Sequence, residues 1–265
     1  GEGHLEFLGS VENVALAKAE IMEGMAPGSI LLLNRDTMCA ERLVSMACDL
    51  GIRVVTCGLA DDSDIRPESY SLSTDGMEVL FRGTKFIVPL YGIHNLYNLL
   101  LALAAGDILD IAPADMSASL ARFEPVGGRG RIIVRRYLVI DDTYNSNPLS
   151  SLYALRSVRD IFPGRRKIAV LSDMKELGEA GPRCHFETGR EVAANGFQML
   201  LVWGELAGEY MAGAKSAGMN GSSTFCFASR EELAAFLKDN VSDNDVILVK
   251  GSRSTHMENV VSALV

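Results

Sequence analysis

Three stretches of this sequence gather polar side chains directly after apolar runs: Asp141-Asp142-Thr143-Tyr144-Asn145-Ser146-Asn147-Pro148, Ser172-Asp173-Met174-Lys175-Glu176-Leu177-Gly178-Glu179, and Lys250-Gly251-Ser252-Arg253. If they meet at one edge of a sheet, Lys250 and Arg253 supply charge and Ser252 a backbone N–H at a helix start, a combination suited to an anionic ligand. Asp, Asn and Ser are also the ordinary residues of caps and turns, so Asp141, and Asn147 before Pro148, read either way. Asn95 and Asn98 lie three residues apart and share a face near the start of a helix, where an amide can cap the helix or read a base through its paired donor and acceptor. Lys18 interrupts the apolar stripe Val11, Val14, Ile21, Met22 and Met25. Either its stem packs while its amine reaches water, or the amine is desolvated, reactive toward CO2, and as a carbamate becomes an oxygen ligand for Mg2+. His4 lies just before that helix and carries no signal alone.

The elements that would position these residues follow from periodicity. Ser10 can cap a helix running to about Glu23. Ser29 to Leu33 reads as a continuous apolar strand, Met38 to Leu50 as a helix and Ile52 to Cys57 as a second strand. Short alternating runs from Ser69 to Leu90, broken at Asp75-Gly76 and at Arg82-Gly83-Thr84, predict β-hairpins. Helices follow over Asn95 to Ala105 and Pro113 to Phe123. The breaker-rich segment from Glu124 to Gly130 predicts a linker, with one domain over residues 1–126 and another over 127–265. Beyond it, apolar strands at Tyr137–Asp141, Lys167–Leu171, Met199–Trp203, Thr224–Phe227 and Val246–Lys250 each precede a helical segment, starting near Pro148, Pro182, Glu205, Ser229 and Thr255. That rhythm predicts a Rossmann-like parallel sheet, whose working residues gather past the carboxyl ends of its strands.

Composition limits the partners. The 265 residues are 48% hydrophobic, 22% charged and 7% aromatic, with a formal charge of -9. With a mean hydropathy of +0.15 and a pI near 5.0, this is an ordinary globular balance that opposes an extended phosphate-backbone footprint. No apolar run reaches the roughly 18 residues of a membrane span, and the first residues lack a signal-peptide layout. The expectation is a cytoplasmic protein with no nucleic-acid or membrane partner. Five scattered cysteines without a C-x-x-C predict reduced, buried thiols.

The motifs together resemble the Mur ligase family. The matching stretches are G-H-L-E-F-L-G-S with A-L-A-K-A-E-I, then L-N-R-D, G-I-H-N-L-Y-N, P-V-G-G-R, I-D-D-T-Y-N-S-N-P, L-S-D-M-K-E-L-G-E and L-V-K-G-S-R-S, in order along nearly the whole chain. G-x-H-N-x-x-N is shared with folylpolyglutamate synthases, whereas D-D-x-Y-N-x-N-P, D-M-x-E-L-G-E and K-G-S-R are specific to the branch that adds D-alanyl-D-alanine. The resemblance implies an α/β chain: part of a Mur ligase central ATPase domain, then a complete Rossmann-like C-terminal domain with a mainly parallel sheet. It implies that ATP phosphorylates the terminal carboxylate of a UDP-N-acetylmuramoyl tripeptide, and that the amine of D-alanyl-D-alanine attacks the acyl phosphate. The tetrahedral intermediate then collapses to amide, ADP and phosphate, with Mg2+ and cationic side chains stabilising the moving charge. Carried over residue by residue, His4 resembles the Mg2+-ligand histidine, Lys18 the carbamoylated lysine, Asn95 and Asn98 the nucleotide-side asparagines, and Arg129 the linker arginine that reaches the ATP phosphates. Asp142 resembles the acidic residue that holds the ribose, with Tyr144, Asn145 and Asn147 in the same loop, and Lys250, Ser252 and Arg253 face the peptide substrate. A swing about Gly127-Gly128 would deliver Arg129 and Asp142 to ATP. The sequence leaves the oligomeric state open, with a monomer favoured for the intact enzyme.

One departure is large. No G-x-x-x-x-G-K-[ST] occurs, although a Mur ligase central domain uses that loop to cradle the ATP phosphates. The family places this loop, an acidic Mg2+ ligand and a uridine-nucleotide domain upstream of His4. The chain therefore reads as a piece of a ligase, expected to have no ligase activity alone. The competing readings are another amide ligase of the superfamily, a binding module without a phosphate loop, and a nucleotide-binding regulatory domain.

Overall fold

A computed structural model describes residues 5–124 and 127–265. The described chain separates into two compact units, with the break after Glu124.

The first unit runs α1 (Leu5–Leu8), α2 (Val11–Ala19), β1 (Ile30–Asn34), α3 (Ala40–Asp49), β2 (Arg53–Cys57), β3 (Ser69–Ser73), β4 (Gly76–Phe81), β5 (Thr84–Val88), α4 (Ile93–Ile108) and α5 (Pro113–Leu120). β1 and β2 pair in parallel, and β3, β4 and β5 form an antiparallel meander. Alternation explains the core. Met77, Val79 and Phe81 on β4, with Phe86 and Val88 on β5, turn inward together and meet Leu96, Leu99, Leu100 and Leu103 of α4, a stripe at helical spacing. Ser10 caps α2, its Oγ accepting from the Asn13 amide at 3.2 Å. The helix is shorter than its apolar stripe predicts. After Ala19 it tightens into a 3-10 turn over Glu20–Gly24, which buries Met22 and leaves Ile21 65% exposed.

The second unit contains β6 (Arg131–Val134), β7 (Leu138–Asp142), α6 (Pro148–Ile161), β8 (Lys167–Ser172), α7 (Gly181–Ala194), β9 (Met199–Trp203), α8 (Ala207–Ser216), β10 (Thr224–Cys226), α9 (Arg230–Asn240), β11 (Val246–Lys250) and α10 (Glu258–Leu264). Its six strands lie in the order β10-β9-β8-β11-β7-β6, all parallel except β6, which runs antiparallel to β7. Periodicity had no place for β6, because its short apolar run is enclosed by Arg131, Arg135 and Arg136. On one face Val139, Ile168, Val170, Leu201, Ile247 and Val249 pack with Leu233 and Leu237 of α9 and Val260 and Val261 of α10. α7 packs against α6 and α8, and α6 and α8 contact the sheet.

α7 and α8 approach closely because glycines stand at their crossing. A Cβ on Gly189 would lie 2.0 Å from the Tyr210 carbonyl oxygen, and one on Gly213 would lie 1.9 Å from that of Phe186. Neither neighbour can swing away, since both are backbone. Gly213→Ala is therefore expected to cost about 1 to 3 kcal/mol through forced separation of the helices, although alanine has the better helix propensity. Urea unfolding checks this; a gain in stability would show that the crossing has slack.

All five cysteines are free, but only Cys57 and Cys184 are buried, which corrects the expectation of five buried thiols. Cys48 lies on the outward side of α3 and Cys226 ends the edge strand β10, so both are exposed. Burial, with the nearby Asp64 carboxylate, pushes the Cys57 thiol up to about 11. Among the described residues no helix is long and apolar enough to cross a membrane.

Candidate functional site

β7, β11 and β8 are neighbours in register, with Lys250 opposite Asp142 and Leu171. Adjacent parallel strands end at one edge, so their three polar extensions meet there. Lys250 Nζ donates to Asp142 Oδ2 at 2.7 Å and to the Asn145 carbonyl at 3.0 Å. The Ser252 amide donates to the Asp173 carbonyl at 3.1 Å, and the Lys175 amide donates to Ser252 Oγ at 2.9 Å.

This bonding corrects the picture of an anion held by Lys250 and the Ser252 N–H. Lys250 is 2% exposed and its charge is met by Asp142; the Ser252 N–H is already committed. Both link strand ends to one another. Arg253 is exposed, its guanidinium 3.3 Å from Glu258 Oε1. Asn147 takes the capping alternative: its Oδ1 accepts from the Ser150 amide at 2.8 Å while its own N–H donates to Ser150 Oγ at 3.1 Å. Asp141 takes the turn alternative, accepting from Thr143 Oγ1 at 2.6 Å.

The segment before β6 is tied to the loop after β7. Tyr144 N–H donates to the Gly128 carbonyl at 2.8 Å, and Gly130 N–H to the Asp141 carbonyl at 2.9 Å. Gly128 has φ +77°, and a Cβ there would stand 2.9 Å from the Tyr144 nitrogen, so only glycine fits without displacement. These ties bring Arg129 over Tyr144, with the guanidinium carbon 3.8 Å from the ring centroid. Both residues, and Asn145, are exposed. A stacked guanidinium keeps its N–H edge available for phosphate oxygens.

The loop after β8 turns Asp173, Met174 and Leu177 inward and Lys175 and Glu176 outward. Asp173 Oδ2 accepts from Lys175 Nζ and the Glu205 amide, both at 3.0 Å, and Oδ1 accepts from the Leu206 amide at 3.1 Å. Burial alone would raise this carboxyl; the bonds from Lys175, Leu206 and Glu205 outweigh it and hold Asp173 below the usual aspartate range. Two residues overlooked in the sequence support the loop: His185, which bonds the Met174 amide, and Tyr210, whose hydroxyl donates to the Ser172 carbonyl at 3.0 Å. A histidine on the face shared by Cys184, Thr188 and Val192 was the available signal, but its partner lies eleven residues away on another element.

In the first unit Gly92, at φ +85°, begins α4 without a side-chain cap. Asn95 therefore does not cap. Its Nδ2 donates to the Tyr91 carbonyl at 2.7 Å, and Asn98 Nδ2 donates to Asn95 Oδ1 at 3.3 Å. Asn98 is exposed. Lys18 is exposed as well, which corrects the desolvated alternative and fits the one in which its amine reaches water. His4 lies outside the described residues. Among the described residues no three His, Cys, Asp or Glu side chains are grouped to hold a metal ion.

Residues 1–106 match the family model of the Mur ligase middle domain, and residues 121–253 match that of the Mur ligase, glutamate ligase domain. The chain is 28% identical to the UDP-N-acetylmuramoyl-tripeptide--D-alanyl-D-alanine ligase of Bacillus subtilis strain 168, over 100% of this chain and 57% of that protein. It is 32% identical to the ligase of the same name from Escherichia coli K12, over 98% of this chain and 57% of that one. The chain thus spans little more than half the length of these relatives. Among solved structures, MurF from Acinetobacter baumannii superposes with a TM-score of 0.86 at 23% identity, covering 100% of this chain and 57% of that one. A MurF ligase from Thermotoga maritima in complex with ADP gives 0.81 at 22% identity, covering 99% and 59%. These superpositions show a shared fold.

Proposed function

Since the chain belongs to the Mur ligase family, we propose that it serves the ATP-dependent joining of D-alanyl-D-alanine to a UDP-N-acetylmuramoyl tripeptide. The observation that carries this reading is the alignment of essentially the whole chain with ligases of that name. The ring of polar loops past β7, β8 and β11 supports it, because this is where an α/β sheet of this kind holds its ligands.

A carboxylate resists amide formation until one oxygen leaves as phosphate, and the acyl phosphate must then meet an amine before it meets water. This chain's residues divide that work. Exposed Arg129, held over the Tyr144 ring, is suited to neutralise phosphate oxygens in transfer. Asp142, whose Oδ2 takes Lys250, is the carboxylate assigned to the ribose hydroxyls, with exposed Asn145 in the same loop. Asn98, oriented by Asn95, offers an amide to the nucleotide from the first unit. Lys175, Glu176 and Arg253 present charge toward a zwitterionic dipeptide, while Lys250 and Ser252 hold the loops beneath them. Mg2+ would offset phosphate charge in such a reaction. The described residues do not make a site for it, and no step is assigned to it.

The test supplies ATP, UDP-N-acetylmuramoyl tripeptide and D-alanyl-D-alanine to the complete gene product and follows ADP and product mass. ADP release should depend on both co-substrates and fail with L-alanyl-L-alanine; glutamate addition to a folate instead would overturn the reading. The 265-residue chain assayed alone should give no ligation, because its sequence contains no phosphate loop.

A further inference from the structure

His185 sits between two backbone groups of opposite character. Its Nε2 is 2.9 Å from the Met174 amide nitrogen, which can only donate, and its Nδ1 is 2.7 Å from the Gly181 carbonyl oxygen, which can only accept. One protonation state satisfies both partners: a neutral imidazole carrying its proton on Nδ1. The ring is fully buried and lies 4.7 Å from the Tyr210 ring, whose hydroxyl holds the Ser172 carbonyl. The loop after β8 is therefore gripped at Ser172, at Asp173 and at Met174, immediately before its exposed residues Lys175 and Glu176.

We propose that His185 is a positioning residue, holding the Met174 amide through unprotonated Nε2 and thereby fixing Lys175 and Glu176 in the arrangement that receives the dipeptide. The substrate part rests on the function proposed above; the latch itself does not. A second proton would set N–H against N–H at Met174 and release the loop. The charged and titratable groups around the ring are Asp173 and Lys175 from the loop, Cys184 beside it, and Glu209 and Tyr210 from α8. Burial dominates and lowers the pKa of His185, although the Gly181 carbonyl, Asp173 and Glu209 favour the charged ring and Lys175 disfavours it. A depressed histidine binds its proton more readily in the unfolded chain. Its contribution to stability is complete above the ordinary histidine value and declines as pH falls from there to the folded value.

Nitrogen-15 NMR of the full chain reads the tautomer directly: Nδ1 should be protonated and Nε2 bare at neutral pH, and a proton on Nε2 would overturn the proposal. Exchange of the Met174 amide should accelerate about tenfold in His185→Phe. His185→Gln, whose amide oxygen can accept in place of Nε2, should restore protection. Unchanged exchange in a folded His185→Phe protein also overturns the latch, and the tautomer decides if that variant does not fold. In the complete gene product, His185→Phe should raise KM for D-alanyl-D-alanine about tenfold while KM for ATP stays put, with recovery in His185→Gln. A moved exchange rate with an unmoved dipeptide KM would overturn the substrate role. Absence of any dipeptide-dependent ligation in the wild type would remove the functional reading alone, because tautomer and exchange are measured without substrate.

Discussion

Lys250→Ala should destabilise the second unit by about 3 to 5 kcal/mol, the usual cost of leaving one member of a buried ion pair without its partner. Lys250 is 2% exposed and Asp142 is 8% exposed. Removing the amine strands the carboxylate and also frees the Asn145 carbonyl. Much of the loss is the penalty of an unpaired charge, so Lys250→Met with Asp142→Leu should recover most of it: breaking a buried pair is costly, whereas replacing it by apolar groups is often neutral. Denaturant midpoints of the two single variants and the double variant decide the matter. If Lys250→Ala costs under about 1 kcal/mol, the pair is solvated in solution and Lys250 is available to substrate after all.

Arg129→Ala should do the opposite, leaving the fold and removing the reaction. The guanidinium lies on an exposed ring, where a cation-π contact contributes about 0.5 to 1 kcal/mol, so the melting temperature should move little. Loss of one preorganised group from a site of developing charge typically lowers kcat by about 100-fold to 1,000-fold. Arg129→Lys should recover only part of this, because an ammonium neither stacks as a plane nor presents two parallel donors. Ligation of the complete gene product, with the melting temperature as control, reads both quantities. Unchanged ligation by a folded Arg129→Ala enzyme would take Arg129 out of the reaction. Tyr144→Phe, which keeps the ring under the guanidinium, should retain most of the activity.

The regular half of the fold is plain in the amino-acid sequence because Val139, Val170, Leu201 and Val249 lie in continuous apolar runs, each followed by a helical period. β6 escaped because its apolar run, Ile132 to Val134, is too short to show a period and is enclosed by arginines. Lys18 kept two readings, and its exposure selects the one in which the amine reaches water; the stripe itself failed only past Ala19, where the 3-10 turn abandons α-helical pitch and leaves Ile21 exposed. In the candidate site, the clusters Asp141–Pro148, Ser172–Glu179 and Lys250–Arg253 were legible as groups, since strand ends collect polar residues. Their internal division was not. Whether Lys250 meets a substrate or Asp142 depends on β7 and β11 lying side by side, and the His185 latch depends on helix α7 folding back under a loop, neither of which local pattern encodes.

The glycine crossing of α7 and α8 reaches further than helix packing. His185 lies one turn before Gly189 on α7, and the Glu205 and Leu206 amides that hold Asp173 lie just before α8 begins. The spacing of the two helices is thus a ruler for the loop between them. A methyl group added at Gly189 or Gly213, where it would meet backbone of the facing helix, would shift Met174 and Asp173 relative to each other. Variants selected only for loss of activity should accumulate at this crossing, and second-site revertants should shrink a neighbouring side chain there rather than alter the loop.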